Sequence, residues 1–156
     1  MKKQSFSGPI LIILLSLLPV SCKYADEPLA CPVTEVSNGN VIKVMYKGEI
    51  KRVRLSHISA PVKGEDGYEE ATGALREMVG DREVILEFEK RGEEQWSYIG
   101  NLIAYVYVDG VNVNVEMVRL GHARHFTNFG TGRLADEFER AESEARTNKR
   151  GIWGEK

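Results

Sequence analysis

The sequence predicts a small closed β-barrel carrying three helices. Three observations predict it. From Thr34 onward the apolar residues fall into short runs rich in β-branched and aromatic types. Helix-periodic segments follow groups of strands instead of alternating with them one by one, which is not the pattern of a parallel α/β sheet. The length of 156 residues leaves room for one domain of about 100–200 residues and a short appendage.

Asn38-Gly39 marks a first turn, and Val41-Ile42-Lys43-Val44-Met45-Tyr46 then reads as a strand. Lys51 to Ile58 reads as a second, and the Gly-containing break Lys47-Gly48-Glu49 between them predicts antiparallel pairing. Tyr68 to Val79 spaces Ala71, Ala74, Leu75 and Met78 three and four apart, the period of a helix, and Gly80-Asp81 stops it. Glu83 to Phe88 and Leu102 to Val108 are two more strands, the second followed by the turn signal Asp109-Gly110. Asn114 to Leu120 predicts a short helix ended by Gly121. Leu134 to Lys149 predicts a longer amphipathic one, with Leu134, Phe138, Ala141 and Ala145 on one face and Arg150-Gly151 as its close. A five-stranded Greek-key barrel, the OB-fold, suits this inventory, because closure protects strand edges in a chain of this size.

Composition narrows the function classes. Apolar residues make up 42% and charged residues 28%, which supports a packed core and excludes a disordered or fibrous chain. The formal charge is −2 and no polybasic run occurs, which argues against a tight, purely electrostatic nucleic-acid binder.

Residues 1–21 read as a secretory signal: Lys2 and Lys3 precede an apolar run from Pro9 to Val20 broken only by Ser16. That run falls short of the roughly 20 apolar residues a membrane span needs. Residues 22–33, with Pro28 and Pro32 among mixed charges, read as a tether, and residues 34–156 as the folded domain. Export to the bacterial cell envelope or beyond is the expectation. Leu18-Pro19-Val20-Ser21-Cys22 resembles a lipoprotein signal, although Pro19 stands where an aliphatic residue is usual, and this makes Cys22 the lipidation candidate. The competing reading is a disulfide between Cys22 and Cys31, the two cysteines of the chain.

Five segments in order carry a resemblance to a known family. They are Asn38-Gly39-Asn40-Val41-Ile42-Lys43-Val44; Val53-Arg54-Leu55 with Ala60-Pro61; Gly100-Asn101-Leu102-Ile103-Ala104-Tyr105-Val106; Arg119-Leu120-Gly121-His122-Ala123; and Ala141-Glu142 with Arg150-Gly151-Ile152-Trp153-Gly154. The chain resembles the staphylococcal nuclease (thermonuclease) family, calcium-dependent phosphodiesterases on an OB-fold. The resemblance implies aspartates that hold calcium, a glutamate base and two arginines that neutralise developing phosphoryl charge. This chain departs from that set. Asn40 and Ser59 stand at the calcium aspartates, Val62 at the base and Asn101 at the second arginine, leaving Arg54 as the catalytic residue the resemblance still supplies.

The remaining candidates each carry two readings. Arg54 either grips a phosphate or pairs with a nearby acid. Phe129, near where the family stacks a base, is either a remnant of that pocket or a packing residue, while Thr127 and Ile99 replace other aromatic positions. Glu65 and Asp66 are either solvated loop charge or carboxylates returned to the site. The spacing of His57, His122 and His125 does not make a metal set, and surface or core roles suit them better. Trp96 and Tyr98 form an aromatic pair suited to partner contact, and Trp153 reads as a peg for the chain end.

Three functions from different classes follow. The first is a catalytically silent binding module taking single-stranded nucleic acid, another anionic ligand or an envelope protein, with Arg54, Asn101 and Phe129 as nucleic-acid contacts and a membrane anchor through Cys22. No cofactor is expected under it. The alternative is a secreted calcium-dependent nuclease with a remodelled site; a purely structural envelope lipoprotein is a third.

Overall fold

A computed structural model describes residues 29–90, 92–97 and 99–154. Its elements are β1 (Ala30–Asn38), β2 (Val41–Tyr46), β3 (Glu49–Leu55), β4 (Ile58–Ser59), α1 (Tyr68–Val79), β5 (Glu83–Glu87), β6 (Gln95–Trp96), β7 (Leu102–Val108), β8 (Val111–Asn112), α2 (Val113–Arg119), β9 (Arg124–His125) and α3 (Ala135–Thr147), then a 3-10 turn at Gly151–Trp153. Five strands close the expected barrel in the order β3-β2-β1-β5-β7, and a parallel β3–β7 pairing joins its ends. The short β6 and β8 add to β7, while β4 and β9 form a separate two-stranded ribbon.

Alternation decides what faces inward. Ile42, Val44 and Tyr46 of β2 and Val53 and Leu55 of β3 enter the core, and the residues between them face outward. β7 is apolar throughout because both of its faces are covered: Leu102, Ala104, Val106 and Val108 are buried, and so is Tyr105, stacked against Phe138 of α3. The β2–β3 connection is a two-residue turn between Tyr46 and Glu49. Lys47 and Gly48 both take positive φ, the conformation that matches the twist of a hairpin.

α1 buries Ala71 and Leu75 of the periodic set together with Val79, with Ala74 and Met78 partly buried against the core, and α3 buries Phe138, Ala141 and Ala145. α2 is capped by the Asn112 side chain, which accepts from the Val115 N–H at 3.0 Å. Its fully buried Asn114 donates to the carbonyls of Ser56 and Ala104 and accepts from the Val106 N–H, so that one amide fixes the helix on β7 and on the end of β3.

Three expectations are corrected. The domain begins at β1, inside the segment read as tether: Cys31 is completely buried and pairs with Val84, and Pro32 pairs with Glu83. Two register irregularities and a mostly exposed surface hide the alternation of this strand. The run Lys51 to Ile58 is not one strand, because His57 adopts φ 56 and turns the chain between β3 and β4. The hairpin break is shorter than predicted, since Glu49 is already in β3. Among the described residues Cys31 has no disulfide partner, and burial and Glu83 push the pKa of its thiol up. The signal segment, Cys22 and most of the tether lie outside the described residues.

Candidate nucleic-acid interface

Arg54 sits on the outer face of β3, half-buried, flanked by Val41 of β2 and Ile103 of β7. Among the described residues no hydrogen-bond or ion-pair partner is found for its guanidinium.

The backbone brings the other expected positions beside it. The N–H of Leu55 donates to the Asn40 carbonyl at 2.9 Å, which places Asn40 next to Arg54. Gly39 explains how Ser59 joins them: a Cβ there would stand 2.8 Å from Cβ of Ala71 and 2.9 Å from Cβ of Ala60, so glycine is what lets α1 and the β4 end close on the β1–β2 turn. Asn101 enters β7 beside β3. Its N–H donates to Ser97 Oγ at 3.0 Å and its carbonyl accepts from the Ser97 N–H at 2.8 Å. The constellation is one guanidinium, two nearly buried amides and a hydroxyl.

Val62 is exposed just beyond this group, and its N–H donates to Glu65 Oε2 at 2.9 Å. A carboxylate is therefore held by the backbone at the position where the valine side chain supplies none. Glu65 also lines a cleft of about 1010 Å³, together with Ser59, Glu70, His122, Arg124 and Ile152. That cleft reaches Ser59 but not Arg54, Asn40 or Asn101. Its acids oppose a phosphodiester, which makes the Arg54 face the better anion site.

Phe129 is 89% exposed and touches Phe126, with ring centroids 5.8 Å apart. It does not pack in the core. Its loop is fixed at both ends: the Phe126 N–H donates to the His57 carbonyl at 2.8 Å, and the Arg133 N–H donates to Glu89 Oε1 at 2.6 Å. Glu89 also accepts from the Tyr105 hydroxyl at 2.5 Å and lies 3.3 Å from His57 Nε2. Sequence reasoning missed this cluster, whose members are far apart along the chain.

Burial pushes the Glu89 pKa up, but the Tyr105 hydroxyl, the Arg133 N–H and His57 outweigh it and leave the carboxyl below its ordinary value. The stability this provides is present above the unfolded glutamate pKa of about 4.3 and is lost as pH falls through the lower native value. Glu89→Gln is expected to cost about 2 kcal/mol near pH 7, with the gap from wild type closing below about pH 4. Thermal melts from pH 7 to 3 check this, and a gap independent of pH contradicts it.

The histidines stay apart from the site. His125 stacks on Phe138, and His57 stacks on Tyr105 with its ring tilted toward Phe138. Burial lowers the pKa of His125, and burial also lowers that of His122 against the pull of Glu70 and Glu77. Trp96 is half-exposed with Lys51 Nζ 5.9 Å from its ring centre, whereas Tyr98 lies outside the described residues. Trp153 docks the chain end as expected, with the Arg146 guanidinium 3.8 Å from its ring centre.

Comparison with known proteins agrees with this architecture. The sequence profile of the family described as staphylococcal nuclease homologue matches residues 52–155. An uncharacterized endonuclease of Escherichia coli O157:H7 is 31% identical over 146 residues, covering 93% of this chain and 88% of the relative. Two Bacillus subtilis (strain 168) proteins match over 123 residues and 74% of this chain: the SPbeta prophage-derived endonuclease YokF at 33% identity and the endonuclease YncB at 32%. The chain spans 41% and 57% of their lengths. The closed barrel, the three helices and these matches place the chain in the staphylococcal nuclease family.

Proposed function

We propose that this protein is a binding module on a nuclease fold, taking single-stranded nucleic acid at the Arg54 face without hydrolysing it. The observation that carries the reading is an Arg54 side chain unpaired among the described residues, beside neutral Asn40, Ser59 and Asn101. A guanidinium with no internal acid is available to a phosphate. Hydrolysis by the family route needs more than that. The donors beside Arg54 are two amides and a hydroxyl, and among the described residues no three His, Cys, Asp or Glu side chains converge as metal ligands. This set does not fit calcium, which draws much of its binding energy from carboxylates. Val62 can neither take a proton nor orient water. The leader and Cys22 support an exported, lipid-anchored form.

The test is hydrolysis and binding of single-stranded DNA and RNA by the 156-residue chain, with calcium and with chelator, beside Arg54→Ala. Binding lost in Arg54→Ala, with no cleavage in either condition, is expected. Calcium-dependent cleavage lost in Arg54→Ala overturns the silent reading.

A second reading is a nuclease with a remodelled site. The carboxylate of Glu65 on the Val62 amide favours it, as do relatives named endonucleases. Under it Glu65→Gln abolishes turnover; under the first reading there is none to lose.

A further inference from the structure

We infer that the outer face of the β2–β3 hairpin continues the Arg54 site, with Arg52 as a second phosphate contact along an extended single strand. This rests on the binding reading above and adds the direction in which the ligand runs.

The strand register puts the contact there. Ile50, Arg52 and Arg54 alternate onto one face of β3, opposite Met45, Lys43 and Val41 of β2 in that order. Two residues along a strand is about 6.6 Å, so the two arginines leave the same face at a spacing that lets each meet a phosphate of the same chain. Arg52 is exposed, and among the described residues its side chain makes no ion pair or hydrogen bond.

The other cations of the hairpin are already held. Lys43 is paired with Glu35 at 2.6 Å, Lys47 with Glu94 at 2.7 Å and Lys51 with Glu49. Glu35 feels Arg52 electrostatically, but its hydrogen bonds go to Lys43 and Ser37. In a protein with net negative charge, two adjacent arginines on one strand face, neither hydrogen-bonded nor ion-paired through its side chain among the described residues and with Glu35 on that face held by Lys43, are the feature that surface ion pairing does not explain.

Beyond Arg52 the same face turns apolar. Met45 and Ile50 are directly opposed and exposed, 38% and 59% respectively. An apolar pair next to two arginines suits a ligand with a charged backbone and flat, partly apolar bases. A single strand presents both together, whereas a duplex hides its bases.

The experiment is fluorescence anisotropy with labelled deca-thymidylate and deca-uridylate over a salt series, using the full chain. Arg52→Ala is expected to weaken binding roughly fivefold and to reduce the salt slope by about 0.7, the value of one phosphate contact on a single strand. Arg52→Lys should keep the slope. Arg140→Ala, an exposed α3 arginine of equal charge, should leave affinity and slope unchanged. The DNA and RNA arms tell which backbone the face prefers, and the Arg52 effect in either arm supports the track. Wild-type affinity and slope in Arg52→Ala, with binding still lost in Arg54→Ala, overturn the track and leave the Arg54 site standing. No binding of either oligomer by wild type at 50 mM salt overturns both.

Discussion

A chain carrying Asn40→Asp, Ser59→Asp, Val62→Glu and Asn101→Arg together is expected to hydrolyse single-stranded DNA with calcium, at a rate at least about 10⁴-fold above the unaltered protein. The four positions lie where the family resemblance places calcium ligands, base and second arginine, and Arg54 is already present. A general base is worth about 10²–10⁴-fold, and one charged transition-state contact about 10²–10³-fold. Groups that act as a unit do not multiply, which makes the combined gain smaller than the product and makes single restorations weak. The structure adds a requirement. Asn40 is 9% exposed and Asn101 5%, so new charges there are desolvated unless they meet each other and a cation. The variant should therefore melt early in chelator and recover with calcium, by about 2.7 kcal/mol at a hundredfold excess over Kd. Turnover with and without calcium and melting in both conditions are the measurements. A folded variant that binds calcium yet shows no gain would mean that hydrolysis on this fold needs groups outside these four positions. Equal turnover by the unaltered chain would refute its catalytic silence.

How legible this site was depends on which physical signal each residue leaves. β2, α1 and β7 keep their predicted bounds, because a short β-branched and aromatic run closed by a Gly turn, a period near 3.6 and a fully apolar run are strong local patterns. Lys47-Gly48 and Asp109-Gly110 announced their turns for the same reason: the chain needs positive φ there, and the sequence offers residues that tolerate it. β1 left no such mark. Its inward positions are shared between two neighbours and interrupted by irregular register, and a proline stands in it. Two-residue strands such as β6 and β9 are too short for any period. Arg54 and its neutral neighbours were found through the family pattern, since a lone arginine on a strand is ambiguous until its partners are known. The Glu89 cluster depends on contacts 16 to 44 residues apart. Phe129 could be read either way, because a phenylalanine in a polar loop is silent about whether the loop folds inward.

Gly121→Ala is expected to destabilise the domain by about 4 kcal/mol or more, while Gly48→Ala should cost only about 1–2 kcal/mol. Both glycines hold positive φ, 75° at Gly121 and 81° at Gly48, so backbone strain alone would make them equal. Their surroundings differ. A Cβ at Gly48 meets nothing within 4 Å, whereas at Gly121 it would run into the Arg150 carbonyl and the Gly151 backbone. That contact cannot relax by rotating a side chain, because both sides are main chain. To make room, the segment after α3 must move away, breaking the bond from the Ile152 N–H to the Gly121 carbonyl at 2.9 Å. The Arg150 guanidinium, which donates to the Arg119 carbonyl at 3.2 Å, would follow. Trp153 would lose its stack beneath Arg146, and the docked chain end would detach from α2. With total stabilities of about 5–15 kcal/mol, a loss of this size is a large part of the fold. Melting curves of the two variants compare the effects directly. Equal losses would show that the close approach of Gly121 and Gly151 carries no weight, and that the glycines of the Leu120-Gly121-His122 and Arg150-Gly151 segments serve backbone conformation alone.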